Sequence, residues 1–455
     1  MMNAFTFLQG ANEVENESFK TPGGKLTTAL PQPTPGEVVS RLQAEILRKD
    51  RFVSALGAET VESWGFDWNM LENSSVSFED SSRIAVMSQL YERLGKVSGK
   101  RFDDEFSSLY TSFLTLRDRI RIVHGERLET VTERYFKKIF PGSNVECDAK
   151  VGGVQLGNKA KVTLLSGEMK KYHIKTHSEG RLTERSSAAK RVNPQELMIY
   201  KILEYTGFGC ESHFLQRSAE DVYIATLDAS DDGNFNMFAR ASGHLGSGGD
   251  EVYGQSLWGN LQTIHSELIQ NDWKAIETSI QSDAVSLNFL NQLSSLDMLT
   301  RILRLRDLLN NPENFGFVSK EGKYPLLKVI DFRISDENIF RVNFEHFGGF
   351  LVGNGMYRYS DSHRVMRYVL HDRSQEDRVR TALSVLTQTS LSKLHEHIDR
   401  AYQEIRGYIL NTDVFADHIS RLMEELDTYT QAVHHNVSFF TDKLQFWTPE
   451  DKLVW

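Results

Sequence analysis

Apolar residues recur at helical spacing along the first part of the chain. Thr34-Pro35-Gly36-Glu37 has the sequence of a helix start, with a capping threonine, a proline at the first helical position and a glutamate three residues after the cap. Later apolar stripes predict one helix near 82–94 and another, broken one over 103–140. The face of this last helix consists of Phe106, Leu109, Phe113, Leu116, Ile120 and Val123. We therefore expect an α-helical region over 34–140, preceded by a flexible tail over 1–33 that is rich in proline and glycine.

The period of the pattern changes to two at Val145. The runs NVECDAKVGGVQL, KAKVTLLSGE and MKKYHIKTH predict three strands, separated by turns at Gly157-Asn158 and Gly167-Glu168. NPQELMIYKILEYTGFG predicts a helix that is capped by Asn193 and ends near Gly207. ESHFLQ and DVYIATLD predict two more strands. We expect 145–228 to form a small antiparallel sheet with this one helix packed on it.

The rest of the chain is mostly helical in pattern. Residues 229–254 are rich in Gly, Asp and Ser and predict a flexible insert, and 256–309 predict mainly helix. PLLKVIDFRI is an apolar, strand-like run that ends in Asp331. Helix returns over about 363–444, with one stripe made of Leu391, Leu394, Ile398, Ala401, Ile405 and Ile409. The expected fold class is α+β, with a helical lobe and a C-terminal helical extension over 255–455.

Composition limits the classes of protein. The 455 residues are 40% apolar, enough for a large core, and no run approaches the ~18 uninterrupted apolar residues of a membrane span. The start has no secretory signal pattern, and two cysteines, Cys147 and Cys210, exclude a disulfide framework. We expect a reducing compartment, cytoplasm or nucleus. The net charge of −10 disfavours general polyanion binding, although 159–201 holds ten Lys or Arg and only four Glu.

Several residues in the middle of the chain have the types that phosphoryl transfer requires. The reaction needs a cation on the nucleotide phosphates, oxygen ligands for magnesium and a carboxylate for the attacking hydroxyl. Lys175 ends the third predicted strand, and Glu196 lies in the first turn of the next helix. Asp307 and Asn314 follow the later helix, and Asp331 follows an apolar strand. Each residue taken singly also fits a solvated or capping role.

The order of these residues resembles the protein kinase-like superfamily, in its divergent HipA-type, actin-fragmin-type and phosphoinositide-kinase-like branch. The resemblance covers about 145–335 and implies a kinase-like bilobal core with ATP and Mg²⁺ as cofactors. DVYIATLD would be the hinge on which adenine stacks. The implied roles are nucleotide phosphate binding by Lys175, pairing with that lysine by Glu196, the catalytic base for Asp307, and magnesium binding by Asn314 and Asp331.

The sequence departs from the family pattern at three points. The run before the base lacks the usual histidine and is Leu305-Arg306-Asp307. Six residues, where the family has four, separate Asp307 from Asn314, so Asn310 or Asn311 is an alternative metal ligand. The third motif is Asp331-Phe332-Arg333, with arginine in place of glycine. These departures bear on activity more than on fold.

Two classes of function follow from this pattern. The first is an ATP-dependent phosphotransferase. The second is an inactive pseudokinase that acts as a regulatory scaffold, with protein partners bound by the helical regions. Nucleic-acid binding through 159–201 is a weaker third hypothesis, which predicts strongly salt-dependent affinity.

Other candidate features have less support. The glycines of the first hairpin, Gly152, Gly153 and Gly157, do not have the spacing of a phosphate-binding loop. His395 and His397 lie two residues apart and so point apart on a helix, and the neighbours His434 and His435 do as well. We therefore expect no metal binding by either histidine pair.

Overall fold

The computed structural model describes residues 34–73, 81–97, 104–149, 157–176, 192–216, 222–237, 284–306, 308, 314–319, 326–334, 340–353 and 374–448. The tail predicted over 1–33 lies outside the described residues. Contacts define a first unit that ends at Val38 and a second from Val39 to Trp455. In the first unit, the Glu37 amide donates to Thr34 Oγ1 and the Thr34 amide donates to Glu37 Oε2 at 2.7 Å. The predicted capping box is therefore present.

The helices predicted before residue 140 are present. Their apolar faces enclose a core that includes Phe52, Trp68, Leu90, Phe106 and Phe113. The helices are α1 (Pro35–Ile46), α2 (Lys49–Leu56), α3 (Ala58–Glu62), α4 (Trp68–Glu72), α5 (Ser81–Val97) and α6 (Asp104–Ile139).

Helix α6 is a single helix of 36 residues, without the predicted break. It continues through Gly125 because apolar side chains are buried on both sides of that residue. Val123 packs in the N-terminal core, while Leu128 and Phe136 pack on the sheet that follows. Tertiary packing outweighs the weak helix propensity of one glycine.

The predicted sheet with one helix is confirmed. Five antiparallel strands lie in the order β1-β2-β3-β5-β4, with a helix between β3 and β4 in sequence. These elements are β1 (Asn144–Ala149), β2 (Gly157–Thr163), β3 (Met169–Thr176), α7 (Pro194–Thr206), β4 (Ser212–Gln216) and β5 (Val222–Leu227).

The turn predicted at Gly157-Asn158 is wrong, because both residues belong to β2. Asn158 is fully buried, and its Nδ2 donates to Thr132 Oγ1 of α6 at 3.2 Å. Gly157-Asn158 is a dipeptide typical of turns, but this tertiary hydrogen bond holds it in the sheet.

The sheet is covered by a helix on each face. Tyr172 and Ile174 of β3 pack with Phe136 of α6, whereas Val222 and Ile224 of β5 share a core with α7. Successive strand residues point to opposite faces. Lys175, which follows Ile174, therefore points to the α7 side.

The segment after β5 contains more strand than the sequence predicts. A 3-10 turn (Ala229–Asp232) and β6 (Asn234–Met237) occupy the start of the predicted insert, because β6 pairs with β8 (Phe315–Ser319). Strand β8 also pairs with β9 (Leu326–Val329). Residues 238–254, the remainder of the predicted insert, lie outside the described residues.

The helix predicted over 256–309 is described as α8 (Ala284–Ile302), and residues 256–283 lie outside the described residues. Helix α8 ends at Ile302, before the predicted end at 309. Arg304 has a φ of 57°, which lies outside the range of a right-handed helix. β7 (Leu305–Arg306) follows and pairs with β10 (Arg333–Ile334).

The C-terminal part is helical where it is described. It contains α9 (Phe344–Leu351), α10 (Gln375–Gln388), α11 (Leu394–Leu410) and α12 (Ile419–Phe446), with 3-10 turns at Ser390–Lys393 and Asp413–His418. All six residues of the stripe predicted from Leu391 to Ile409 are buried. These helices share one core with α7 and α8. None of the described helices is both long and apolar enough to span a membrane.

Candidate functional site

Lys175 lies near the end of β3, opposite Gly157 of β2. A Cβ atom at position 157 would lie 1.8 Å from the backbone oxygen of Ile174, so only glycine permits this approach of the two strands. The Lys175 side chain is 9% exposed. The β2–β3 hairpin therefore places a buried ammonium group on the face of the sheet that α7 covers.

Asp331 and Asn314 meet at the end of the β8–β9 hairpin. The backbone oxygen of Asn314 accepts hydrogen bonds from the amides of Ile330 at 2.8 Å and Asp331 at 3.1 Å. On the other side, β10 begins two residues after Asp331, and Arg333 pairs with Arg306 of β7. The two predicted metal ligands, Asn314 and Asp331, are therefore joined directly by a backbone hydrogen bond.

The structure brings Lys175 and Asp331 into direct contact, although 156 residues separate them in sequence. Lys175 Nζ donates to Asp331 Oδ1 at 2.6 Å, and the Asp331 side chain is 47% exposed. Burial acts to lower the pKa of Lys175, but Tyr200 and Asp331 outweigh burial and raise that pKa above its ordinary value. The lysine is therefore a fixed positive charge beside a half-exposed carboxylate.

Helix α7 supplies the third side of the cleft. Its cap is the predicted one: Asn193 Oδ1 accepts from the amides of Gln195 and Glu196, and Pro194 is the first helical residue. This start places Glu196 in the first turn, where it is 1% exposed. A carboxylate buried at a helix N-terminus is stabilised by the helix dipole.

Tyr200 lies one turn after Glu196 and belongs to the same cleft. Its ring packs on Phe332 with centroids 4.6 Å apart, and Lys175 Nζ lies 5.5 Å from the ring centroid. Burial is the main cause of the raised pKa of Tyr200; Asp331 and Glu196 add to the shift and Lys175 opposes it. Tyr200 therefore lies within electrostatic reach of all three charged residues.

The sequence did not predict Tyr200 as a site residue. The available signal was its spacing, since residues four apart lie on the same helix face and Glu196 was already a candidate. The sequence did not show that this face points at Lys175, because that depends on the packing of α7 on the sheet.

Helix α7 is held on its other side by the C-terminal helices. Lys201 Nζ is 3.0 Å from Glu404 Oε1 of α11 and also donates to the backbone oxygen of Ser212 at 2.5 Å. The Tyr205 hydroxyl donates to Glu404, and the Arg400 guanidinium lies 3.9 Å from the centre of the Tyr205 ring. The position of Glu196 and Tyr200 therefore depends on α11.

Not every predicted residue can be placed. Asp307, Asn310 and Asn311 lie outside the described residues, as do Gly152 and Gly153. Lys175 makes its ion pair with Asp331, and an ion pair between Lys175 and Glu196 stays a prediction. The assigned roles also stay predictions, since contact by itself does not show chemistry.

Of the six lysines that the structure describes in the basic segment 159–201, four are buried or paired, and Lys159 and Lys171 are exposed. Lys175 and Lys201 are buried, and Lys161 and Lys170 pair with carboxylates of Glu146 and Glu211. Its four arginine and lysine residues between 181 and 191 lie outside the described residues. The described lysines thus give weak support to a nucleic-acid surface.

The histidines of the C-terminal helices form a pair that the sequence did not predict. His395 Nδ1 and His434 Nδ1 are 2.7 Å apart across α11 and α12, and His434 Nε2 is 3.0 Å from Asp399 Oδ1. Among the residues described, no group of three or more His, Cys, Asp or Glu is arranged to hold a metal ion.

Comparison with known proteins adds no identification. No protein-family model matches the chain, and no curated protein matches it.

Proposed function

We propose that this chain binds Mg²⁺-ATP in the cleft between β3, α7 and the β8–β9 hairpin, and that it is an ATP-dependent phosphotransferase with a kinase-like, bilobal architecture. The observation that supports the proposal most strongly is the 2.6 Å contact between Lys175 and Asp331. The kinase resemblance requires these two residues to share a site, although 156 residues separate them in sequence.

The proposed roles follow the chemistry of the side chains. Lys175 binds nucleotide phosphates, and Glu196 supports the position of that lysine. Asp331 and Asn314 would hold Mg²⁺ through a carboxylate and an amide oxygen, the ligand types that this ion prefers. Asp307 is proposed as the base for the acceptor hydroxyl.

The charges of the cleft favour the magnesium complex over free nucleotide. Lys175 contributes one positive charge, whereas Asp331 and Glu196 contribute two negative ones. A free triphosphate would be repelled by these carboxylates, and Mg²⁺ bound with the nucleotide would offset this repulsion. Nucleotide binding is therefore expected to require the metal.

The test is calorimetric titration of the full chain with ATP, with and without Mg²⁺. We expect binding only with Mg²⁺, loss of most metal-dependent binding in Asp331→Asn, and at least ~10-fold weaker binding in Lys175→Met, because a charge-assisted contact is removed. The matched control is Lys171→Met, an exposed lysine on the same face of β3, which should bind normally. Equal binding by all four proteins, or no metal-dependent binding by the wild type, would contradict the proposal.

A second candidate, the inactive pseudokinase scaffold, is favoured by Arg333. Arg333 occupies the position where the family has glycine. It belongs to β10 and pairs with Arg306 of β7, the residue before Asp307. The two candidates differ in turnover. An active enzyme loses phosphoryl transfer in Asp307→Asn while it keeps Mg²⁺-ATP binding, whereas a scaffold shows no transfer in either protein.

A further inference from the structure

The Tyr200 hydroxyl is a buried polar group inside the proposed cleft. Tyr200 is 6% exposed, and no described residue forms a hydrogen bond of good geometry with its oxygen. The ammonium of Lys175 acts on the hydroxyl oxygen both electrostatically and as a hydrogen-bond donor, and the carboxylates of Asp331 and Glu196 act on it electrostatically. Because an ammonium accepts no hydrogen bond, the O–H hydrogen of Tyr200 still has no acceptor of good geometry among the described residues. The group thus lies among the charges that are proposed to bind Mg²⁺-nucleotide.

Packing alone does not account for this hydroxyl. The ring fills the space against Phe332, and a phenylalanine would fill it as well. A buried O–H group without an acceptor costs free energy because it loses its hydrogen bond to water. Such a group is explained if its partner is a ligand that binds in the cleft.

We propose that Tyr200 is a ligand-binding residue, whose hydroxyl donates a hydrogen bond to a phosphate oxygen of the bound Mg²⁺-nucleotide. This inference rests on the proposed function and adds to it a contact from α7. A phenol is protonated at neutral pH, so the hydroxyl acts as a donor to an anion. A phosphate oxygen is a strong acceptor for such a donor.

The experiment compares Tyr200→Phe with the wild type by Mg²⁺-ATP titration and thermal unfolding of the full chain. We expect the Kd to rise by roughly 10-fold or more, the effect of losing a hydrogen bond to a charged group. The melting temperature of the ligand-free protein should stay unchanged or rise, because the ring remains and an unsatisfied group is removed. A ligand contact therefore predicts weaker nucleotide binding without a loss of stability, whereas a structural contact predicts a loss of stability.

Tyr408→Phe is the matched control. The Tyr408 hydroxyl is also buried without a hydrogen-bond partner among the described residues, but it packs near Phe214 and Phe415, and no charged residue of the cleft shifts its pKa. Its removal should leave the Kd for Mg²⁺-ATP unchanged.

The outcomes distinguish the two proposals. If the wild type binds Mg²⁺-ATP and Tyr200→Phe binds it equally well, the role of Tyr200 is wrong and the proposed function stands. If Tyr200→Phe loses stability and affinity together, the hydroxyl has a structural role and the inference is also wrong. If the wild type shows no Mg²⁺-dependent binding, the proposed function fails and the inference fails with it.

Discussion

The position of Lys175 depends on the missing side chain at Gly157, the residue opposite it on β2. Because a methyl group at Gly157 would overlap the backbone oxygen of Ile174, β2 would have to move away from β3. That movement would shift the lysine relative to Asp331, which lies on another segment. The geometry of the cleft is therefore sensitive to a residue without any functional group.

We predict that Gly157→Ala lowers the free energy of unfolding by about 2 kcal/mol or more, the range of overpacking in a close-packed region. Urea denaturation measures this change, and Mg²⁺-ATP affinity should fall in parallel. Gly95→Ala is the control, since Gly95 lies in α5 with no heavy atom within 4 Å of an added Cβ. Gly95→Ala should raise the free energy of unfolding by ~0.5–1 kcal/mol. Wild-type stability for Gly157→Ala would show that β2 and β3 are further apart than described.

At the scale of elements, α7 connects the cleft to the C-terminal helices. One side of the helix places Tyr200 beside Lys175, with Glu196 one turn earlier on the same side. The other side is fixed by Lys201 and Tyr205 to Glu404. A shift of α11 would therefore move the residues that line the cleft.

We predict that Glu404→Ala accelerates amide hydrogen exchange in α7 more than in the sheet. Its effect on global stability should be only about 0.5–1 kcal/mol, because the Glu404 side chain is 42% exposed and solvent screens the pair. Glu425→Ala is the matched control: its side chain is about as exposed as that of Glu404, but its pair with Arg421 at 2.8 Å lies within α12. Equal exchange of α7 in both variants would contradict the link between α11 and α7.

At the scale of the whole molecule, the C-terminal helices are part of the central core. Asn436 of α12 is fully buried and bonds three separate backbone groups. Its Oδ1 accepts from the Val342 amide, and its Nδ2 donates to the backbone oxygens of Ile302 and Phe340, each at 2.8 Å. One side chain thus joins the end of α8 to the segment before α9.

We predict that Asn436→Ala destabilises the protein by roughly 3 kcal/mol, because it leaves buried backbone groups unsatisfied and opens a cavity. Chemical denaturation measures the loss, and a single cooperative transition is expected to shift as a whole. The control is Asn411→Ala, an exposed residue at the end of α11, which should change stability by less than ~0.5 kcal/mol. Separate transitions for the sheet and the C-terminal helices would contradict a shared core.

Local signals in the sequence determined most elements of this fold. The cap at Asn193, Pro194 and the left-handed Gly207 define α7, and the apolar stripes define the buried faces of α6 and α11. The change of period at Val145 gave the sheet, because strand alternation and helical spacing are encoded over a few residues. The order of candidate residues likewise singled out Lys175, Glu196, Asp307, Asn314 and Asp331.

Only the tertiary structure decided which of these residues meet. The contact between Lys175 and Asp331 and the pairing of His395 with His434 join residues on separate elements. The burial of the Tyr200 hydroxyl beside Lys175 depends on how α7 packs on the sheet. The same holds for β6 and β7, whose short sequences become strands because β8 and β10 pair with them. Local propensity specifies what an element is, but long-range packing selects its neighbours, and the chemistry of the cleft depends on those neighbours.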